Sequence, residues 1–128
     1  MAAAVLHKDG TFLGTQRGYG EFEGGWEFPG GKIEEGESPQ AALLRELKEE
    51  LSIDAIVEHF LMTVECHYPQ FHMMMHCFLC SIDEGKIQLK EHKSARWMNR
   101  EQFDDVEWLP ADLDVVKRIR DMDIDGLA

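Results

Sequence analysis

The stretch Gly31-Lys-Ile-Glu-Glu-Gly-Glu37, Ser38-Pro-Gln-Ala-Ala-Leu-Leu44, Arg45-Glu-Leu-Lys-Glu-Glu-Leu51-Ser-Ile53 decides how this chain is read. Ser38 can cap the free amides of a first helical turn, and Pro39 at the first helical position sacrifices no hydrogen bond. Leu43, Leu44, Leu47 and Leu51 follow at spacings of three and four, which predicts a helix with one buried stripe, ending near Leu51-Ser52. On that helix Glu46, Glu49 and Glu50 stand at i, i+3 and i+4 and share a face. Like charges so placed repel by roughly a few tenths of a kcal/mol when exposed, and by more when half-buried, unless a cation neutralises them. Oxygen-only ligands select a hard ion, Mg²⁺ or Mn²⁺, which typically bridges carboxylates to phosphate oxygens. A bare acidic helix face is ordinarily only solvated. Here Gly30-Gly31 lets backbone approach a ligand closely, Glu37 stands just before the cap, and Arg45 lies beside the acidic face as its charge partner.

Toward the N-terminus, Ala2 to His7 and Phe12 to Gln16 read as strands around Asp9-Gly10, a pair that hairpin turns favour. Four glycines between Gly18 and Gly25 form a loop, Trp26-Glu27-Phe28 a short strand, and Pro29-Gly30-Gly31 a second break. Toward the C-terminus, Ile53 to His67 and Phe71 to Ile82 read as a second hairpin, with Phe71, Met73, Met75, Cys77 and Leu79 on one face. A short strand near Ile87, another at Ala95 to Asn99, and a closing amphipathic helix with Leu113, Val116 and Ile119 at helical spacing complete the pattern. These elements predict one α/β domain over residues 1–128, with a mixed sheet between helices.

Composition removes several classes of partner. The 128 residues carry a formal net charge of −12 at pH 7, so nucleic acid polymers and anionic membrane surfaces are expected to repel the chain. No stretch approaches the ~20 apolar residues that cross a bilayer, and the reading is a soluble, cytoplasmic protein, monomer or homodimer. Cys66, Cys77 and Cys80 have the spacing neither of a disulfide framework nor of a zinc ribbon, and read as reduced core thiols.

The opening stretch resembles the Nudix box, G-x5-E-x7-R-E-U-x-E-E-x-G-U with U aliphatic, and departs from it only at Ser52, where the family has glycine. Trp26-Glu-Phe-Pro-Gly-Gly31 and Trp108-Leu-Pro-Ala-Asp112 resemble the MutT-like branch, which hydrolyses nucleoside triphosphates to a monophosphate and pyrophosphate. The resemblance implies the Nudix fold, a mixed sheet sandwiched between helices. It implies that the Gly30 carbonyl and the carboxylates of Glu46, Glu49 and Glu50 hold divalent metal, Mg²⁺ with Mn²⁺ as substitute, with Glu46 or Glu49 as general base. By the same resemblance Glu37 and Arg45 brace loop and helix, and Glu91 is a further metal ligand or base unless it is simply a solvated loop residue. Arg17 and Lys32 would face phosphates, or else be ordinary surface cations. Ser52 follows the helix, where a left-handed residue often ends the last turn, so it is expected to cost about 1 kcal/mol without touching the chemistry.

Asp112 falls where that branch places a base-reading residue. An ionised carboxylate only accepts hydrogen bonds, which favours bases that present donors: guanine, 8-oxoguanine and cytosine. Phe28 and Phe78 are candidates to flank the base, or else core. The implied role is nucleotide-pool sanitation in support of DNA repair, with 8-oxo-dGTP as the type of substrate. Alternatives are a CTP or dCTP pyrophosphohydrolase, a hydrolase of another nucleoside diphosphate derivative, or a non-catalytic nucleotide-sensing module. Three weaker signals fail: Asp121 to Gly126 is only the first half of a calcium loop, Gly18-x-Gly20 lacks the third glycine of a dinucleotide fingerprint, and His72 and His76 are separated by roughly 13 Å of strand, too far for one zinc ion.

Overall fold

The structure, a computed structural model, describes residues 1–67 and 69–122. The half calcium loop and the acidic tail from 123 onward fall outside the described residues. Strands β1 (Ala2–Lys8) and β2 (Thr11–Gln16) meet at the expected turn, where Asp9 and Gly10 both take positive φ (51° and 78°) and Lys8 faces Thr11. Both central residues left-handed is the turn whose twist matches a hairpin, and it explains why Asp-Gly stands there. Then come β3 (Trp26–Glu27), β4 (Gly30–Gly31), helix α1 (Pro39–Leu51), β5 (Asp54–His67), β6 (His72–Glu84), β7 (Ser94–Met98) and helix α2 (Pro110–Asp121).

The strands run in the order β3-β2-β1-β6-β5, with β4 paired to β1 and β7 to β2. β1 and β6 are parallel neighbours while β5 and β6 are antiparallel, so the sheet is mixed. Its two faces bury different residues of the same strands. Ala2, Ala4 and Leu6 of β1, with Phe78 and Cys80 of β6, pack against Leu43, Leu47 and Leu51 of α1. Ala3 and Val5, with Met75, Cys77 and Leu79, pack against Val115, Val116 and Ile119 of α2. Burial on both faces is why β1 and the centre of β6 read as continuous apolar runs rather than alternating ones.

Helix α1 forms as expected, with the Ser38 hydroxyl accepting from the Ala41 amide at 3.1 Å and Pro39 opening the first turn. Each of its three buried leucines contributes on the order of 2 kcal/mol of transfer free energy, which fixes the helix on the sheet. Leu44, expected in the buried stripe, is instead 39% exposed, and Ala42 takes the buried position. In α2 the buried face is Ala111, Asp112, Val115, Val116 and Ile119, and Leu113 is 54% exposed. Helical spacing is satisfied by either of two overlapping faces, and the one that meets the sheet wins. No strand forms at Ile87: its side chain packs against the α1 core and the Gln88 amide donates to the Leu51 carbonyl, without a ladder. A 3₁₀ helix at Arg100–Asp105, unforeseen from sequence, is closed by a reciprocal Asn99–Gln102 capping box. Cys77 and Cys80 are buried free thiols that burial pushes up to about 12, as expected of core cysteines. No helix among the described residues is long and apolar enough to cross a membrane.

Candidate active site

A cleft of about 640 Å³ opens where α1, the loops on either side of β3 and β4, the loop before β7 and the start of α2 converge. Its acidic wall comes from α1. Glu46 and Glu50 line the cleft, and Glu91 faces them from the loop before β7. The α-carbon of Gly31 sits so close to the Glu46 side chain that an added Cβ would lie 2.4 Å from its carboxyl carbon. Any residue but glycine at 31 would push that carboxylate aside. Burial, together with the Glu46 carboxyl and the charges of Glu91 and Glu27, raises the Glu50 carboxyl well above the usual carboxylate range. Oxygen donors crowded in this way suit a hard divalent ion, whose charge offsets their repulsion.

Glu49 lies differently. Its side chain is 60% exposed, pairs with Arg45 at 3.2 Å, and does not line the cleft. Arg45 organises the wall from behind. Its Nε and Nη2 donate to the two oxygens of Glu37 at 2.8 and 2.9 Å, its Nη2 also to the Lys32 carbonyl at 3.0 Å, and its Nη1 to Glu46 at 2.9 Å. Glu37 in turn accepts from the Glu34 amide at 2.9 Å. The guanidinium and that amide hold the Glu37 carboxyl down at about 2, and the hydrogen bonds to Glu37 and Glu46 raise Arg45. The bidentate pair fixes the Gly31 to Glu37 loop against the helix and aims one oxygen of Glu46.

At the other end of the cleft Asp112 is 3% exposed and accepts from the Phe28 amide at 3.0 Å. It stands there because Trp26 and Trp108 form a parallel bridge, with the Trp26 amide donating to Glu107 and the Leu109 amide to Trp26, so that α2 starts beside β3. Burial pushes the Asp112 carboxyl up to about 7 against the lowering effect of the Phe28 amide. Phe28 is buried, stacks on Trp108 at 4.7 Å between centroids, and lines the cleft.

Arg17 lines the cleft but is engaged, donating to Glu27 at 2.6 Å and to the Glu21 carbonyl at 3.0 Å. Gly30 and Lys32 line it as well. Phe78 does not. It belongs to the α1-side core, edge-on to Phe60, because its register on β6 turns it away from Met75 and the cleft. Two further residues were not legible in the sequence. Glu27 holds Arg17, and His92 is half-buried beside Glu50, with Nε2 at 3.9 Å from Oε2 and its buried Nδ1 without a partner among the described residues. Nothing in the spacing around Glu91 marks His92, which lies in a loop that packs closely on Gly18 through the Glu91 carbonyl.

Comparison with known proteins gives a consistent picture. The family model for the NUDIX domain matches residues 1–119. The chain is 32% identical over 118 residues to the CTP pyrophosphohydrolase of Escherichia coli, covering 91% of this chain and 87% of that one. It is 40% identical over 95 residues to the 8-oxo-dGTP diphosphatase of Proteus vulgaris, covering 73% and 83%. The crystal structure of a MutT NUDIX hydrolase from Burkholderia pseudomallei superposes with a TM-score of 0.82 over 92% of this chain and 95% of that one, at 22% identity, a likeness of fold.

Proposed function

Since this chain belongs to the NUDIX family of hydrolases, which act on phosphoanhydride bonds of nucleotides, we propose that it hydrolyses a nucleoside triphosphate to the monophosphate and pyrophosphate, with 8-oxo-dGTP as the type of substrate. The observation that carries this reading is one cleft with two chemically opposite ends: Glu46, Glu50 and Glu91 at one, and the buried Asp112 beside Phe28 at the other. A triphosphate belongs at the acidic end only in company with cations, and a base belongs at the apolar end where one carboxyl reads its edge.

Glu46 and Glu50, with Glu91 opposite and the Gly30 carbonyl nearby, are the residues that would hold Mg²⁺ or Mn²⁺; Glu49, the third ligand that the resemblance implies, would have to leave its pairing with Arg45 to join them. The bound ion supplies charge neutralisation of the phosphate oxygens and acidification of water. The rest falls to the chain. Glu46 is aimed by Arg45 and held in place by the close backbone of Gly31, which suits it to accept the proton of the attacking water. The water oxygen bonds to the α- or the β-phosphorus, the bond from that phosphorus to their bridging oxygen breaks, and the electron pair stays on that oxygen as monophosphate and pyrophosphate separate. Arg17, freed from Glu27, and Lys32 are the cations that face the phosphates. Asp112 accepts from donor-bearing bases when ionised, and near its raised titration point it can also donate one hydrogen bond.

Preference for CTP or dCTP is the second reading, favoured by the Escherichia coli relative that spans most of the chain. Protein supplied with Mg²⁺ and a panel of eight nucleotides including 8-oxo-dGTP and CTP tests both. Pyrophosphate release with the highest kcat/KM on 8-oxo-dGTP is the expected result. A highest value on CTP or dCTP moves the assignment to the second reading, and release of inorganic phosphate instead of pyrophosphate overturns both.

A further inference from the structure

The far end of the β5–β6 hairpin carries a second group of potential ligands that has no part in the cleft. His67 and His72 are direct cross-strand partners in the register, so their side chains leave the sheet on the same side. Glu65 lies two residues before His67 on β5, and the two-residue period of a strand puts it on that side too. The three converge. Glu65 Oε1 is 2.8 Å from His72 Nε2 and 3.4 Å from His67 Nε2, and the two imidazole rings stack at 4.6 Å between centroids with planes 21° apart. All three ligand atoms lie within 4.8 Å of one another, and all three residues are exposed. His76, four positions along β6, is not part of the group, since its Nδ1 meets the Thr63 hydroxyl at 2.8 Å. The linear spacing of His72 and His76 excludes a shared ion, whereas the cross-strand register supplies His72 with two other partners.

We propose that Glu65, His67 and His72 form a binding site for a borderline transition-metal ion of the Zn²⁺ class, separate from the carboxylates of the cleft. Ligands at about 2.0–2.1 Å around a tetrahedral ion are about 3.3 Å apart; Glu65 stands 2.8 and 3.4 Å from the two imidazoles and all three ligand atoms lie within 4.8 Å, so small rotations of exposed side chains bring them to that spacing. Two imidazoles and one carboxylate suit Zn²⁺ or Cu²⁺ and disfavour Mg²⁺, which prefers oxygen alone. The fourth position is left to water. Without an ion, the cluster rests on one exposed carboxylate–imidazole hydrogen bond, a second, longer ion pair and the ring stacking, contacts worth little on a solvated hairpin end. An ion at that point staples the two strands beside their turn.

The test uses the full chain, stripped of metal and then saturated with Mg²⁺, titrated with ZnCl₂ by calorimetry and with CuCl₂ by electron paramagnetic resonance. Wild-type protein is expected to take up one more equivalent of Zn²⁺ than the His67→Ala/His72→Ala variant, with Glu65→Gln binding that equivalent at least tenfold more weakly. The Cu²⁺ spectrum of wild type is expected to show nitrogen hyperfine splitting that the double variant loses. Equal Zn²⁺ stoichiometry in the two proteins, or an oxygen-only Cu²⁺ spectrum in wild type, overturns the site. Mg²⁺-dependent hydrolysis is expected to be unchanged in these variants, which shows that they are folded and that the lost equivalent is not the metal of the cleft.

Discussion

Glu37 and Glu50 belong to one short stretch of chain, yet they are in opposite states. Glu37 is gripped by both arms of Arg45 and its carboxyl is held at about 2. Glu50 stands half-buried among Glu46, Glu91 and Glu27, with no guanidinium of its own, and its carboxyl is raised. The difference teaches what each carboxylate is for. One has its cation built into the protein and serves as a fixed strut; the other has only like charges around it, and on the proposed function it would take its cation from solution. The contrast between a satisfied strut and a deliberately unsatisfied wall is the sort of local conflict that marks a site rather than a core.

The largest effect that would break the comparison is expected at the wall. Glu46→Gln is expected to lower kcat by about 10²–10³ and Glu50→Gln by about tenfold or more, as befits groups that act on the reacting water or its cation. Because Glu50 is crowded by like charges, Glu50→Gln is also expected to raise the stability of the metal-free protein by about 0.5–1 kcal/mol, a gain read by thermal unfolding without Mg²⁺. A loss of stability in that variant would remove the claim that the wall is held against repulsion.

At the Asp112 end of the cleft, the raised carboxyl binds its proton more tightly when folded than when unfolded. Its contribution therefore favours folding below its ordinary value of 3.8 and is lost as pH rises to about 7. Asp112→Asn is expected to flatten that part of the stability–pH curve in urea titrations and to change the order of preferred nucleotides severalfold, with Mg²⁺ dependence kept. An unchanged order would take Asp112 out of base reading.

The strut has the opposite sign. Its folded-state carboxyl is depressed from 4.5 to about 2, so its stabilisation is complete above about 4.5 and disappears as pH falls toward 2. Glu37→Gln is expected to make acid unfolding less steep in that window, while reducing activity by about tenfold through a loosened loop. The smallest effect is expected at Ser52, which takes the left-handed conformation anticipated from its place after the helix, with φ 59° and ψ 34°. Ser52→Gly is expected to add about 0.5–1 kcal/mol of stability with kcat unchanged.

Much of this was legible in the linear sequence, for identifiable reasons. The Ser38-Pro39 start and the Asp9-Gly10 turn rest on local geometry, the Glu37–Arg45 pair was implied by the family resemblance, and the structure contains all three. Leu44, Leu113 and Phe78 went the other way, because periodicity names a set of residues but not which neighbour they meet. A β6 strand buried on both faces gives an observer of the sequence no means to choose between Cys77 and Phe78 as the residue turned toward α2 and the cleft side of the sheet.

What the sequence by itself determined is the chemistry along one helix: three carboxylates at i, i+3 and i+4, an arginine to brace them, and glycines that let backbone come close. Spacing along a helix converts directly into position, so no tertiary information was needed. Only the folded molecule decided that Glu49 faces solvent while Glu91 and His92 join Glu46 and Glu50, that Asp112 is dry, and that Glu65, His67 and His72 meet across a hairpin. Those placements depend on strand register and on which helix face the sheet accepts, and both are set by burial summed over the whole core rather than by any local run of residues.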